Sequence, residues 1–559
     1  MLQPARALGL WLLAAATAAG CTAAASDSRY FGKVAPPDGQ VLRYITGSEP
    51  ESLDPQIATG QPEARIIMAL FDGLTEIHPR TAQPIPAIAS SWDANADNTE
   101  FVFHLRSDAR WSDGAPMTAD DFVYSIRRAL SPALAARSAY LAYDIEGAES
   151  YNAGETPAES VGVDALDAHT VRFRLRRPVP FLPGLLTNQF FKPVPRGAVE
   201  AYGDRWTDPD HIVTSGAFLL RTHRPYDTIV VVRNAQYWDA ARVRLDEISF
   251  YPLEDATTMY NLYKAGDVDA VYNHTVPSGW IESVRGFADY KDAPELGNMY
   301  ILFNTTKAPM DDVRVRKAFN AAIDKVGLEH YLHATKALVS FVPTGIFEDY
   351  PHPEGDPYDP ARARELLAEA GYRDAGGAYA PSTFPIAQVA YTYNTTELNR
   401  QVAEFIQAQW KQNLGLTVPL RNVEWRTFLQ MRSDLAYDGM VRGAWIGDYM
   451  DPFTFLNMFS TAGSENGSGW TDAPYQRMLA DANREQDPHR RYELLAEAER
   501  HLLAVQPLAP LQVQSTNFMA KPYVKGLYPN PVTMHPWKFV YIEHDPAKWD
   551  DDGPIEIGS

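Results

Sequence analysis

A single carboxylate interrupts an apolar run at residues 443–452, GAWIGDYMDP, where Asp448 lies between Gly447 and Tyr449. A buried, unpaired carboxylate costs roughly several kcal/mol. Asp448 therefore needs a cationic partner, from the protein or from a ligand, or it takes part in catalysis. The surrounding residues must distinguish these roles.

A second carboxylate, Asp451, follows shortly afterwards, and the two together suggest a catalytic alternative. A carboxylate pair with Trp425, Trp445 and Trp470 as sugar platforms would suit a secreted glycosidase. The spacing argues against this function, because glycosidase carboxylates usually come from separate strand ends. Asp451 directly before Pro452 is instead typical of a turn or of a helix start.

Other catalytic and metal-binding signatures are missing from the sequence. It contains no GxSxG, Walker or HExxH motif. The stretch DANADN (93–98) begins like a calcium loop, but Asn98 replaces the required glycine and His104 the bidentate glutamate, so we predict a polar turn. His330 and His333 share a helical face without a third ligand nearby in the sequence. We predict neither a metal nor a cofactor.

The composition limits both the organisation and the partners of the protein. With 559 residues, 45% of them apolar, the chain is too long for one core and predicts about three or four structural units. Its formal charge of −21 argues against nucleic acid, and against an anionic lipid surface, as the partner of the folded body. Small solutes and protein partners remain.

The N-terminus has the features of a secretion signal. Residues 1–20 carry one early arginine and then an uncharged Leu/Ala/Trp run that is too short to span a bilayer. Cys21, the only cysteine, follows them as the lipid-anchored cysteine follows a bacterial lipobox, although an alanine replaces the usual leucine. Ala23 and Ala25 offer a plain A-x-A cleavage site as the alternative. We predict an extracytoplasmic protein with a signal peptide at 1–20, a lipid anchor at Cys21 and a tether over 21–40.

Strand and helix patterns alternate along the rest of the chain. Period-two alternation occurs in TEFVFHLR (99–106) and TIVVVRN (228–234). Asp359 and Asp487, each followed by proline, predict the N-caps of two long amphipathic helices. This mixture predicts an α/β or α+β fold.

Four segments form a series with a characteristic order and spacing. They are GSEPESLDP (47–55), FHLRSDARWSDGAPMTADDFVYS (103–125), RNAQYWD (233–239) and NTTKAPMDDVRVRKAFNAAID (304–324). In this respect the chain resembles the extracytoplasmic solute-binding proteins of peptide ABC importers, family 5, over about residues 41 to 545. EWRTFLQMR (424–432) and VRGAWIGDYMDPFTFLNMF (441–459) are similar to the segment that holds both ends of the peptide in the oligopeptide-binding branch.

The resemblance implies roles for the residues around Asp448. Asp448 would pair with the α-ammonium group of a peptide, and Arg442 and Arg432 would receive its carboxylate, which a planar guanidinium grips bidentately. The other implied ligand contacts are pocket walls at Trp425 and Trp445, backbone groups of the run Met440 to Ile446 with Gly443 and Ile446 among them, and Gly60 and Gln61 from the opposite lobe.

The residue types alone leave other interpretations open. Arg442 could pair with Asp438 or Asp448 inside the fold, and Arg432 could be a solvated arginine at a helix end. Trp425 and Trp445, taken by themselves, would more often be core residues.

The sequence also departs from the family pattern at Arg137, at Asn399 and at Gln512, Val513 and Gln514, where a tyrosine cluster is expected after Pro510. Arg137 aligns with a tyrosine that helps to hold the ammonium group, although Tyr140 or Tyr143 could replace it. Asn399 aligns with a histidine used for longer peptides and could still donate a hydrogen bond to a carboxylate. We expect the preferred peptide length to differ from that of better-known relatives.

The resemblance further implies a mixed α/β, two-lobed periplasmic binding protein fold with an additional domain. The expected division is lobe I at 41–71, 197–298 and 515–559, domain II at 72–196, and lobe III at 299–514. Such a protein is not an enzyme: a monomer would close its lobes over a short peptide and deliver it to an ABC permease. A dipeptide, a murein peptide or another solute is the alternative ligand.

Overall fold

The computed structural model describes residues 29–272, 276, 278–333, 335–461, 466–551 and 555. In chain order, the strands are β1 (Val41–Gly47), β2 (Thr75–Ile77), β3 (Pro84–Pro86), β4 (Ala89–Ala94), β5 (Glu100–Leu105), β6 (Val163–Asp167), β7 (Thr170–Arg174), β8 (Phe218–Arg224), β9 (Thr228–Arg233), β10 (Glu247–Pro252), β11 (Ala270–Val271), β12 (Tyr290–Phe303), β13 (Thr335–Ala337), β14 (Ala390–Asn394), β15 (Leu420–Val423), β16 (Gly439–Ile446), β17 (Leu508–Met519), β18 (Val524–Lys525) and β19 (Tyr541–Ile542). The α-helices are α1 (Gln61–Leu70), α2 (Ala119–Ala129), α3 (Ala148–Asn152), α4 (Leu182–Leu185), α5 (Arg196–Tyr202), α6 (Ala256–Ala265), α7 (Ser278–Val284), α8 (Val313–Ala321), α9 (Lys325–Leu332), α10 (Pro360–Glu369), α11 (Glu397–Leu414), α12 (Trp425–Ser433), α13 (Phe453–Leu456), α14 (Ala473–Arg484) and α15 (Pro488–Val505). The predicted mixed α/β class is confirmed.

Three larger sheets organise the molecule. A five-stranded sheet has the order β11-β1-β10-β9-β8, with β1 parallel to both of its neighbours. An antiparallel four-stranded sheet has the order β4-β5-β7-β6. A six-stranded sheet, β13-β17-β12-β16-β14-β15, places β16 in its interior.

Two long strands connect the regions of the five- and six-stranded sheets. β12 and β17 pair antiparallel from Tyr290↔Met519 to Leu302↔Leu508. They continue through the boundaries expected at 298/299 and 514/515, so both boundaries fall inside paired strands. Two crossing strands of this kind are suited to a hinge, while the division into lobes stays a prediction.

Local capping chemistry explains the predicted helix starts. The carboxylate of Asp359 accepts a hydrogen bond from the Arg362 backbone N–H at 2.9 Å, and that of Asp487 accepts one from the Arg490 N–H at 2.7 Å. Each bond satisfies a donor that the first helical turn leaves open. The prediction of both N-caps is confirmed.

The chain that precedes β1 is packed, which corrects part of the expected tether over 21–40. Tyr30 is buried, Phe31 stacks on Tyr263 with ring centroids 6.5 Å apart, and Arg29 forms an ion pair with Asp550 at 3.0 Å. Aromatic burial therefore fixes the chain from residue 29 onwards. The predicted signal peptide and Cys21 lie outside the described residues. Among the described helices, none has the length and apolar character needed to cross a membrane.

Candidate ligand-binding site

The strand β16 carries one open edge towards the cleft. On one side it pairs with β12 along its whole length, from Gly297↔Ile446 to Phe303↔Met440. On the other side its pairing with β14 ends at Thr392↔Val441. Among the described strands, none covers that side of residues 442–446, so their backbone groups are available to an added strand. The open run is shorter than the predicted Met440 to Ile446.

Gly443 has a packing role within this strand. A Cβ atom at position 443 would lie 2.1 Å from Cε2 of Tyr300, on the paired strand β12. Glycine is therefore required there by the close approach of the tyrosine ring. Ile446, at the end of the strand, is 55% exposed and lies on the cleft.

Asp448 follows β16 and lies between two cavities. One cavity of about 350 Å³ is also lined by Gly60 and Gln61, at the start of α1, and by Ile446. The structure thus brings together four of the predicted site residues, from opposite sides of the cleft. The segment before α5 adds Gln189 and Lys192 to this cavity, and no motif in the sequence pointed to them.

The second cavity, of about 470 Å³, lies on the other side of the carboxylate. Tyr140 lines it, and its hydroxyl donates to Oδ1 of Asp448 at 3.4 Å. Trp445 and Tyr143 line the same cavity, whereas Arg137 is exposed and lines neither cavity. Of the two tyrosines considered from the sequence, Tyr140 is therefore the one that reaches the Asp448 carboxylate.

Arg442 is a half-buried cation that has no acidic partner among the described residues. Its Nη1 donates to Oδ1 of Asn394 at 3.2 Å, and no carboxylate of the described chain lies within ion-pair distance of it. Burial lowers the pKa of Arg442, and the nearby positive charge of Arg432 lowers it further. The two predicted carboxylate-binding arginines are therefore close enough for their charges to interact.

The alternative pairing of Arg442 inside the fold is not formed. Asp438 pairs instead with Arg421 at 3.0 Å and with Lys307 at 3.8 Å. A guanidinium that is partly withdrawn from water without a counter-charge is unfavourable. An anionic ligand group would remove that cost.

Asn399 lies behind Asn394, at the start of α11. It is 5% exposed, and its Nδ2 donates at 3.0 Å to both the backbone oxygen and Oδ1 of Asn394. The same Oδ1 accepts from Arg442. Asn399 thus orients the residue that holds Arg442, a relationship that the sequence could not reveal.

The two candidate tryptophans occupy different environments. Trp425, at the first turn of α12, is 51% exposed and stacks on Phe428 with centroids 5.9 Å apart. Trp445 is half-buried, and its Nε1 donates to Oγ1 of Thr454 at 3.5 Å. Trp445 lines the larger of the two cavities beside Asp448, whereas Trp425 lines neither. Neither tryptophan is a fully buried core residue.

Asp451 is not available for a second catalytic role. It forms a buried bidentate ion pair with Arg491, at 2.6 and 2.9 Å, and accepts a hydrogen bond from the Phe453 N–H. Asp451 lies directly before the N-cap of α13, Pro452, which agrees with its prediction as a turn or helix-start residue. The glycosidase alternative loses its second carboxylate, because that carboxylate is neutralised within the fold.

The molecule has two sheet regions joined by paired crossing strands. Its cleft presents an open strand edge, two arginines and a carboxylate. These features define a two-lobed solute-binding protein. The sequence pattern described as "Bacterial extracellular solute-binding proteins, family 5 Middle" matches residues 83–467. The chain belongs to this family.

Individual relatives cover nearly the whole chain. The periplasmic oligopeptide-binding protein OppA of Salmonella typhimurium is 35% identical over 88% of this chain and 90% of its own. The probable deoxycholate-binding periplasmic protein YgiS of Escherichia coli is 33% identical over 92% of this chain and 95% of its own. The unliganded open form of the murein tripeptide-binding protein MppA superposes with a TM-score of 0.81, at 32% identity, covering 91% of this chain and 98% of that one.

Proposed function

We propose that the protein is an extracytoplasmic receptor that captures short peptides between two lobes and delivers them to an ABC permease. The observation that carries the proposal is Arg442, a half-buried cation without a carboxylate partner in the described chain, on the same open strand edge that leads to Asp448. A peptide supplies the matching groups, a carboxylate at one end and an ammonium at the other.

The strand spacing sets the scale of the ligand. Residues 442 and 446 are about 13 Å apart along an extended strand, and Asp448 follows two residues later. This span fits an extended peptide of roughly three to five residues. The backbone edge of 442–446 would pair with the peptide main chain, so that affinity does not depend on one particular sequence.

Each site residue then has a proposed role. Asp448, with Tyr140, would hold the α-ammonium group. Arg442 and Arg432 would hold the carboxylate, with Asn399 acting through Asn394. The proposed remaining contacts are side-chain walls at Trp445 and Trp425, strand backbone at Gly443 and Ile446, and the opposite lobe at Gly60 and Gln61.

The lobes are proposed to move as units. Lobe I (41–71, 197–298 and 515–559) and lobe III (299–514) would close about β12 and β17, with domain II (72–196) beside them. Closure is a population shift, so the ligand must contact both sides of the cleft. Gly60 and Gln61 on one side, with Asp448 on the other, meet this requirement.

Membership of the family does not fix the ligand. Two relatives of similar identity are named for binding an oligopeptide and deoxycholate. A dipeptide, a murein peptide or a non-peptide solute is therefore the alternative. The relatives are binding proteins, and we propose that this chain is likewise a monomeric receptor without catalytic activity, attached to the membrane only through a lipid on Cys21.

Mass spectrometry of the ligand released from the purified protein tests this function. We expect a mixture of short peptides with free N-termini. The matched control is the double variant Asp448→Asn, Arg442→Met, which should release far less peptide at the same yield of folded protein. A single non-peptide solute, or equal amounts of peptide from both proteins, would overturn the proposal.

A further inference from the structure

The Gln61 side chain is held at both of its polar atoms. Its Oε1 accepts from Nη2 of Arg65 at 2.8 Å, and its Nε2 donates to Oγ1 of Thr533 at 3.3 Å. Gln61 is the first residue of α1 and lines the cavity shared with Asp448. The two contacts therefore hold Gln61, a residue of the cavity wall, in a fixed position.

Thr533 has an unfavourable backbone conformation. Its φ is +60°, a left-handed value that is strained for a β-branched residue. The side chain is fully buried, and the neighbouring residues Val532 and Met534 line the same cavity as Gln61. Asn530 fastens this turn by donating to the backbone oxygens of Pro79 and Met534. The strained turn positions the Thr533 hydroxyl to accept the hydrogen bond from Gln61.

Arg65 is unfavourable for the stability of the fold for a different reason, its buried charge. It is buried, and its guanidinium has no carboxylate within ion-pair distance in the described chain. Nη1 donates to the backbone oxygen of Thr46 at 3.0 Å, and Nη2 donates to Gln61. A buried charge without a counter-ion destabilises a fold, and an apolar side chain of similar volume would not.

We propose that Thr533 and Arg65 are positioning residues that clamp Gln61, and with it the first turn of α1, on the lobe I wall of the ligand cavity. Both residues destabilise the fold, and both form a hydrogen bond with the Gln61 side chain. Because strained residues persist where the surrounding structure holds them for function, the common target indicates the role. The inference rests on the proposed peptide-binding function.

The first test uses hydrogen exchange without any ligand. Thr533→Gly relieves the left-handed strain and removes the hydroxyl, while Thr533→Ser keeps the hydroxyl and serves as the matched control. We expect exchange of the Ala64 amide, which donates to the Gly60 backbone oxygen at 3.1 Å, to be at least about threefold faster in T533G, and unchanged in T533S, because the first turn loses an anchor. Equal exchange in T533G and wild type would overturn the proposal.

The second test compares the effect of each substitution on the unfolding temperature with its effect on peptide affinity. Calorimetric titration with trialanine should show T533G and Arg65→Met binding about three- to tenfold more weakly, the loss of one hydrogen bond. Their unfolding temperatures should be no lower than that of wild type. A purely structural role would lower stability and affinity together, which would contradict the inference.

The same substitutions in a Gln61→Ala variant test whether Thr533 and Arg65 influence peptide affinity through Gln61. If the clamp acts through Gln61, T533G and R65M should have no further effect on trialanine affinity in Q61A. Undiminished losses in that background would refute the clamp. A wild type that binds neither trialanine nor other short peptides would refute the proposed function, while the ligand-free exchange experiment would still decide on the clamp.

Discussion

The Asp448 carboxylate gives the most direct quantitative test of the site. Breaking a buried ion pair by removing one partner costs about 3 to 5 kcal/mol. Asp448 is only half-buried, and it already accepts a hydrogen bond from Tyr140 at 3.4 Å. Part of its charge is therefore satisfied without a ligand. We expect the lower end of the range, about 3 kcal/mol, which corresponds to a loss of about two decades in peptide affinity.

Both partners of this pair can be removed separately. Asp448→Asn keeps the size and most of the hydrogen-bonding capacity but removes the charge, and N-acetylation of the peptide removes the ammonium group. Wild type should bind the free tripeptide about a hundredfold more tightly than the acetylated one. In D448N the two peptides should bind with similar, weak affinities. Without the Asp448 charge, the ammonium group of the free peptide has no ion pair to lose on acetylation.

Isothermal titration calorimetry of the four combinations forms a double-mutant cycle and measures the coupling directly. Strictly additive losses would mean that Asp448 does not contact the ammonium group. An acetylated peptide bound by wild type as tightly as the free one would refute the reasoning more broadly, because the N-terminus of the ligand would then lie outside the site.

Arg442→Ala should weaken binding of the shortest peptides most, and Arg432→Ala should act at a different length, because each arginine is proposed to meet the ligand carboxylate at a different distance from Asp448. Titration with peptides of two to five residues tests this, and equal losses at every length would contradict it. Lys325 is a buried cation with no hydrogen-bond partner for Nζ in the described chain, and burial lowers its pKa from 10.5 to about 7. Since the unfolded state binds more protons between these values, the stability contributed by Lys325 rises with pH from about 7 to 10.5, and Lys325→Met should stabilise the protein by on the order of 3 to 5 kcal/mol at pH 7 and progressively less towards pH 10. Denaturant unfolding at several pH values checks this, and a difference independent of pH would disprove it.

Asp448 and Asp451 show which part of the site the sequence could predict. Both lie in one short segment, and the proline after Asp451 was enough to predict a helix start. Whether each carboxylate faces a cation depends on distant residues, and Arg491, which neutralises Asp451, lies on α15. Local spacing cannot specify such a partner, because it is set by how two helices pack.

The strand itself was only partly predictable. Family resemblance indicated the run from Met440 to Ile446, but the open edge begins where β14 separates from β16 after Val441. That point depends on strand order in the sheet, which the alternation of residues does not encode. Asn399 is a similar case: its alignment suggested direct contact with the ligand, while the fold places Asn394 between it and Arg442.

The proposed site also separates residues expected to bind the ligand from residues expected to drive closure. A ligand converts an open protein to a closed one only through interactions that are stronger in the closed form, and a change from 1:99 to 99:1 requires about 5.5 kcal/mol of such difference. In the proposed site, contacts with β16, Arg442 and Asp448 would all come from lobe III, so they would contribute to both forms. The difference would then come from the opposite wall, where Gly60 and Gln61 lie at the start of α1. A wall that carries this difference has to be rigid before the ligand arrives, since a mobile one would lose part of the gain in its own ordering. This gives a physical reason for keeping a strained threonine behind Gln61, together with a buried arginine that has no carboxylate partner among the described residues.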